Sequence, residues 1–209
     1  MNSIKDANYY FITDEGIEIS PVEQVEIAVN QGVKIVQYRR KDAPGKVLYE
    51  EASQISDICK DKALFIVNDR IDIAQIVDAD GVHLGQDDLP YEVARELVGD
   101  MILGVSTHNL KQALKAERVA DYIGIGPVHS TETKRDRWKE LGIQGALKIA
   151  ENVKVPTTAI GGIGYDDLEP LSRSFDMVCA ISSVTRTKDL PGSIKKFETS
   201  FKNYKRNRL

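Results

Sequence analysis

Cysteine is scarce: the 209 residues contain only Cys59 and Cys179, with no CxxC pair, so no disulfide framework is expected. That usage fits a reducing compartment and predicts a cytoplasmic location, with both thiols inert in the core. Histidine is scarce too. His83, His108 and His129 show no HxH or HExxH spacing and have no cysteine partners, which argues against a zinc set and for structural or polar wall roles. Long apolar runs are missing: stretches such as Ala63 to Val67 fall far short of the roughly 20 residues that cross a bilayer. The first residues, Met1 to Asp6, lack the charged-then-apolar order of a secretory signal, so no membrane partner is expected. Positive charge is not in excess either. There are 28 Lys and Arg against 32 Asp and Glu, a net charge of −4, and both signs are interspersed. A nucleic-acid partner is therefore not expected. Lys202, Lys205, Arg206 and Arg208 form the one basic cluster and are read as solvated cations complementing the end of a last helix.

What is present is an alternating pattern. Hydrophobic residues make up 42% of the chain, enough for a core at a size where folding buries about 70% of the extended surface. Short β-branched or aromatic runs occur at Tyr9–Thr13, Lys34–Tyr38, Ala63–Val67, Gly81–Leu84, Met101–Val105, Tyr122–Ile125, Thr157–Ile160 and Asp176–Ile181. Between and after them lie helical spacings at Pro21–Asn30, Gly45–Lys60, Asp72–Val77, Tyr91–Val98, Leu110–Val119, Leu141–Asn152, Asp166–Ser172 and Pro191–Tyr204. In the second, Leu48, Ala52, Ile55 and Cys59 fall on one face. Eight strand–helix units predict an α/β fold of the TIM-barrel type, (β/α)₈, as a single domain over residues 1–209. An open doubly wound sheet would want a glycine-rich fingerprint after an early strand, and Gly124 and Gly126 come too late and lack the third glycine. Association into a homo-oligomer is left open.

Barrels of this type carry their active sites on the loops after the strands. Polar residues collect there. Gln37, Arg39 and Lys41 end the second strand, with Arg39 and Lys41 projecting to one side. Asn68 and Asp69 follow the third strand, Asp88 comes shortly after the fourth, and Ser106 follows the fifth. Two carboxylates beside phosphate-binding cations suit a hard divalent ion such as Mg²⁺, which typically takes one or two carboxylates plus phosphate oxygens and water. The alternative for Asp69 taken alone is a helix N-cap, because a helical segment follows it. Thr131, Thr133 and Lys134 form a donor cluster suited to a polyanion, or else a solvated loop. Gly161 and Gly162 after the seventh strand, with Ser182 after the eighth, form either an anion site or simple turns.

Seven stretches, in order, resemble the thiamine-phosphate synthase family: Tyr10 to Asp14; Gln37, Arg39 and Lys41; Asn68, Asp69, Asp72 and Ala74; Ala79 to Gln86 with Asp88; Gly104, Ser106 and Thr107; Gly126 to Val128 with Thr131, Thr133 and Lys134; and Ala159 to Ile163. The resemblance implies a (β/α)₈ transferase that joins a hydroxymethylpyrimidine diphosphate to a thiazole phosphate and releases pyrophosphate. It implies Asp69 and Asp88 as Mg²⁺ ligands, and Arg39, Lys41, Asn68 and Lys134 on the diphosphate. Gln37 would meet the pyrimidine, and Ser106 would face the diphosphate and reacting centre. Thr131 and Thr133 would contact phosphates. Gly162, Ile181 and Ser182 would hold the thiazole phosphate, and Ser106, Lys134 and Arg39 would be the catalytic residues. Arg40 stands where family members often carry an acidic residue, and Arg135 to Glu140 does not match closely. The alternatives are a thiazole tautomerase of the same superfamily and a non-catalytic phosphate-binding barrel. The tautomerase typically has a histidine where this chain has Pro127.

Overall fold

Residues 3–130 and 138–207 are described by the computed structural model, and along them strands alternate with helices. The order is β1 (Tyr10–Ile12), α1 (Pro21–Asn30), β2 (Ile35–Tyr38), α2 (Gly45–Cys59), β3 (Leu64–Asn68), α3 (Ile71–Ile76), β4 (Gly81–Leu84) and α4 (Tyr91–Val98). It continues with β5 (Ile102–Thr107), α5 (Leu110–Ala116), β6 (Tyr122–Ile125), α6 (Gly142–Ala150), β7 (Thr157–Ile160), α7 (Leu168–Leu171), β8 (Met177–Cys179), α8 (Ser182–Thr185) and α9 (Leu190–Arg206). The strands pair in sequence order from β1 to β8, and all pairs are parallel. A parallel bridge between Tyr9 and Val178 closes the ring, and the Val178 N–H donates to the Asn8 carbonyl at 2.9 Å. The expected (β/α)₈ barrel is the fold.

Alternation along each strand divides the apolar residues into two cores. Tyr10, Ile12, Ile35, Leu64, Ile66, Tyr122, Met177 and Cys179 fill the barrel. Their neighbours Phe11, Val36, Phe65, Val82, Leu103, Ile123 and Val178 face outward into the helical layer. The amphipathic face expected in α2 is the buried one, Leu48, Ala52, Ile55 and Cys59. Both cysteines are buried and unbridged, and burial pushes the Cys59 thiol up to about 12.

Caps set the helix starts. Ser20 accepts from the Glu23 N–H ahead of Pro21, and Asp189 accepts from the Gly192 N–H ahead of Pro191. α9 then packs Ile194, Phe197 and Phe201 against the barrel. Its buried Glu198 accepts from Asn8 Nδ2 at 2.8 Å and from the Tyr9 N–H at 2.9 Å, tying the last helix to the first strand. Lys205, expected as a solvated cation, instead donates to the Ala7 and Asp176 carbonyls at 3.2 and 2.6 Å. Arg208 lies outside the described residues.

Asn68 and Ser106, read as following their strands, lie within β3 and β5, and two further segments differ from their sequence reading. The helix expected at Asp166–Ser172 is a 3₁₀ turn, Tyr165–Asp167, followed by the four residues of α7, because Asp167 bends back to accept from the Gly164 N–H at 2.8 Å. Strand eight stops at Cys179 rather than Ile181. The Ile181 carbonyl accepts from the N–H groups of Val184 and Thr185, so Ser182 and Ser183 open the short helix α8. Among the described residues no helix is long and apolar enough to cross a membrane.

Candidate active site

A cavity of about 920 Å³, counting its open mouth, lies at the C-terminal ends of the strands. Of the residues singled out in the sequence, Gln37, Arg39, Asn68, Ser106, Gly162, Ile181 and Ser182 all line it. Lys41, Asp69 and Asp88 form a group beside it, next to Asn68 in sequence or space. Thr131, Thr133 and Lys134 lie outside the described residues.

Alternation along β2 decides which cations serve the cavity. Gln37 and Arg39 face it, whereas Tyr38 and Arg40 face away. The Tyr38 hydroxyl donates to Glu51 at 2.6 Å, and Arg40 pairs with the other oxygen of the same carboxylate. The extra positive charge of Arg40 is thus spent on α2. Arg39 is fixed through its backbone: its N–H donates to Thr13 Oγ1 at 2.9 Å and its carbonyl accepts from the same hydroxyl at 3.2 Å.

Asp69 is not a helix cap. It takes the left-handed conformation, φ 61°, its N–H donates to the His83 carbonyl at 2.9 Å, and the capping position of α3 belongs to Arg70. Left-handed backbone in a non-glycine residue costs about 1–2 kcal/mol, and here it turns the carboxylate toward Lys41 and Asp88. Lys41 Nζ lies 3.3 Å from Asp69 Oδ2. Burial, and then the Asp88 carboxylate within hydrogen-bonding reach, raise the Asp69 carboxyl above its ordinary value, and Lys41 only partly offsets them. Asp88 is held from the other side by the Gly85 N–H, 2.6 Å from its Oδ2. Two carboxylates forced together beside a cation make a site in which a hard divalent ion relieves the repulsion. Among the described residues no third His, Cys, Asp or Glu completes a cage, so such an ion would take its remaining ligands from a bound anion and water.

Across the cavity, Gly161 and Gly162 have φ of 99° and 64°. A Cβ on Gly162 would come within 2.8 Å of the His129 Cβ, and one on Gly161 within 2.6 Å of Pro127, so these glycines allow the loop after β6 to lie against the loop after β7. Ser183 Oγ donates to the Ile163 carbonyl at 2.6 Å and binds the start of α8 to the same loop. The loop after β6 is pinned at both described ends: the Ser130 N–H donates to Glu140 at 3.0 Å, and the Gly142 N–H to the Val128 carbonyl at 2.9 Å. Trp138 stacks on His108, with ring centroids 4.5 Å apart. His129 pairs with Asp167 at 2.9 Å.

Sequence reasoning gave no role to Tyr10 and Tyr122, which are enclosed in the barrel, and gave His83 only a structural or wall role. Gln37 Nε2 donates to the Tyr10 hydroxyl at 2.8 Å, Tyr10 meets the Tyr122 hydroxyl at 2.6 Å, and Tyr122 meets His83 Nδ1 at 2.9 Å. His83 Nε2 then meets Ser106 Oγ at 2.9 Å. The available signal was parity, since Tyr10, His83 and Tyr122 occupy inward positions of their strands, as Gln37 and Ser106 do. Gly104 makes the arrangement possible: a Cβ there would lie 2.1 Å from the Tyr122 ring.

Comparison with known proteins gives a consistent picture. The family model described as thiamine monophosphate synthase matches residues 9–184. A thiamine-phosphate synthase from Methanosarcina barkeri is 42% identical over 198 residues, covering 93% of this chain and 90% of its own. One from Fusobacterium nucleatum is 40% identical over 206 residues, covering 95% and 98%. Among solved structures, a thiamine phosphate pyrophosphorylase from Pyrococcus furiosus superposes with a TM-score of 0.89 at 35% identity, covering 96% of this chain and 98% of that one.

Proposed function

This chain belongs to the thiamine monophosphate synthase family and is a transferase that makes thiamine phosphate; we propose that it does so by neutralising a departing diphosphate at the rim of the barrel. The observation that carries this reading is that Arg39 and Asn68 line the cavity while Lys41 and the paired carboxylates Asp69 and Asp88 form a charged group beside it, starting at the residue after Asn68. An aminopyrimidine stabilises positive charge on its exocyclic carbon, so the carbon–oxygen bond can break before the new carbon–nitrogen bond forms. The enzyme then has an electrostatic task and a positional one.

Each residue has a part in those tasks. Gln37 seats the pyrimidine. Arg39, Lys41, Asn68 and Lys134 hold the diphosphate, and Ser106 donates to it near the bond that breaks. Asp69 and Asp88 fit Mg²⁺, because their enforced proximity, with no third His, Cys, Asp or Glu beside them among the described residues, leaves room for phosphate oxygens and water. When bound, the ion supplies charge neutralisation at the leaving group. Gly162, Ile181 and Ser182 hold the thiazole phosphate through the backbone of two facing loops, and Thr131 and Thr133 reach the substrates' phosphates. The apolar side of the cavity, with Ile12, Ile160 and Ile163, keeps water from the cation until the thiazole nitrogen takes it. No protein nucleophile enters the sequence of bonds: the pyrimidine carbon loses the diphosphate oxygen and gains the thiazole nitrogen.

The direct test supplies both phosphorylated precursors with Mg²⁺ and follows pyrophosphate. Release of pyrophosphate in equal amount with thiamine phosphate is expected. A rate no greater than that without enzyme would overturn the reading.

A further inference from the structure

Five side chains from five strands form one buried hydrogen-bonded line across the barrel: Gln37 on β2, Tyr10 on β1, Tyr122 on β6, His83 on β4 and Ser106 on β5. Gln37, His83 and Ser106 line the cavity, and the two phenols between Gln37 and His83 are fully enclosed. Burial pushes both phenols above their ordinary value, so each keeps its single proton. That proton count leaves the line two concerted directions, selected by the orientation of the Gln37 amide.

Gln37 Nε2 carries only protons, so the Tyr10 oxygen accepts from it. The Tyr10 proton then goes to the Tyr122 oxygen, and the Tyr122 proton to His83 Nδ1. A neutral His83 with an accepting Nδ1 holds its proton on Nε2 and gives it to Ser106 Oγ. The Ser106 proton is left for whatever occupies the cavity. With the Gln37 amide turned over, Oε1 would accept from Tyr10 and every bond would reverse. His83 would carry its proton on Nδ1, and Ser106 would spend its own on Nε2. Both arrangements hold the same number of protons.

We propose that this line couples the orientation of the Gln37 amide to the Ser106 hydroxyl, so that seating an aminopyrimidine on Gln37 sets Ser106 as a hydrogen-bond donor to the departing diphosphate. Tyr10, Tyr122 and His83 are positioning residues: the two phenols are enclosed away from the cavity, and His83, on its wall, acts through its bond to Ser106. The aminopyrimidine presents a donor beside an acceptor, the pattern an amide matches, and the bond to Tyr10 fixes which amide atom faces which side. The proposal takes its ligands from the synthase reading, but the coupling itself is measurable without turnover.

The test reads the His83 tautomer by nitrogen NMR of the full chain, labelled in its histidines. In wild type saturated with the pyrimidine diphosphate, the proton is expected on Nε2. Gln37→Glu, measured without ligand at alkaline pH where the new carboxylate is ionised, can only accept from Tyr10 and is expected to move the proton to Nδ1. Tyr122→Phe cuts the line and is expected to abolish the response of His83 to Gln37→Glu. In kinetics, Tyr122→Phe is expected to lower kcat roughly 10- to 100-fold with KM for the pyrimidine diphosphate within about threefold. If Tyr122→Phe does not fold, Tyr10→Phe makes the same cut. The same His83 tautomer in wild type and Gln37→Glu would overturn the proposal, as would equal changes of kcat in every variant explained by loss of folded protein. Failure of wild type to make thiamine phosphate would instead refute the synthase reading and leave the tautomer comparison intact.

Discussion

Asp14, at the exit of β1, shows how one residue's charge secures the mouth of the barrel. It is buried, and its carboxylate accepts from the Gly16 N–H at 2.9 Å, from Thr185 Oγ1 at 2.7 Å and from Arg186 Nε at 3.1 Å. Burial is the largest single influence and would raise its carboxyl, but Arg186, Thr185 and Gly16 together outweigh it and hold the group below its ordinary value. A carboxyl depressed in the folded state contributes stability that is complete above the unfolded value of about 3.9 and is lost as pH falls through the folded value. Asp14→Asn is therefore expected to cost about 1.5–3 kcal/mol near neutral pH, with the gap to wild type narrowing in acid. Denaturant unfolding of both proteins across that range checks it, and a gap independent of pH would contradict it. At this scale the sequence was partly legible. Gln37, Arg39, Asn68 and Ser106 could be placed because they stand at the C-terminal ends of their strands, where barrels of this type carry their sites, and the structure puts all of them on the cavity. Asp69 could not be decided, since a residue before a helix is normally a cap, and only the left-handed backbone turns it toward Asp88.

Elements were legible where their period was strong. The eight strands announced themselves by β-branched runs, and α2 by its single apolar face, because burial on both sides of a parallel strand leaves few polar choices. Short elements were not: α7 and α8 have four residues each, fewer than one full apolar period can mark. The line from Gln37 to Ser106 was also hidden, because its members lie on five strands and meet only after the barrel closes. The paired glycines after β7 belong to this scale. Gly162→Ala forces a Cβ toward His129 at a φ of 64° and separates the loops after β6 and β7. KM for the thiazole phosphate is expected to rise more than tenfold, with binding of the pyrimidine diphosphate alone within about twofold of wild type, given a left-handed cost of roughly 1–2 kcal/mol. Calorimetric titration with each ligand separates the two effects, and equal weakening of both would show that the loops do not form a separate thiazole-phosphate site.

For the molecule as a whole, a net charge of −4 says little until the fold distributes it. The barrel turns Arg40 outward onto Glu51 and keeps Arg39 on the cavity, while Lys41 stands over Asp69. A chain that is acidic overall thereby gathers cations and a carboxylate pair at one end, the arrangement that the proposed diphosphate and Mg²⁺ site needs, with α9 and Glu198 securing the start of the barrel from outside. The central claim is that Asp69 and Asp88 bring a divalent ion to the leaving group. It is tested most directly by titrating Mg²⁺ against the rate of pyrophosphate release in wild type and Asp88→Asn. The account predicts that the variant needs at least about tenfold more Mg²⁺ for half-maximal rate, because one of two ligand charges is gone. An Mg²⁺ requirement identical in the two proteins would contradict it.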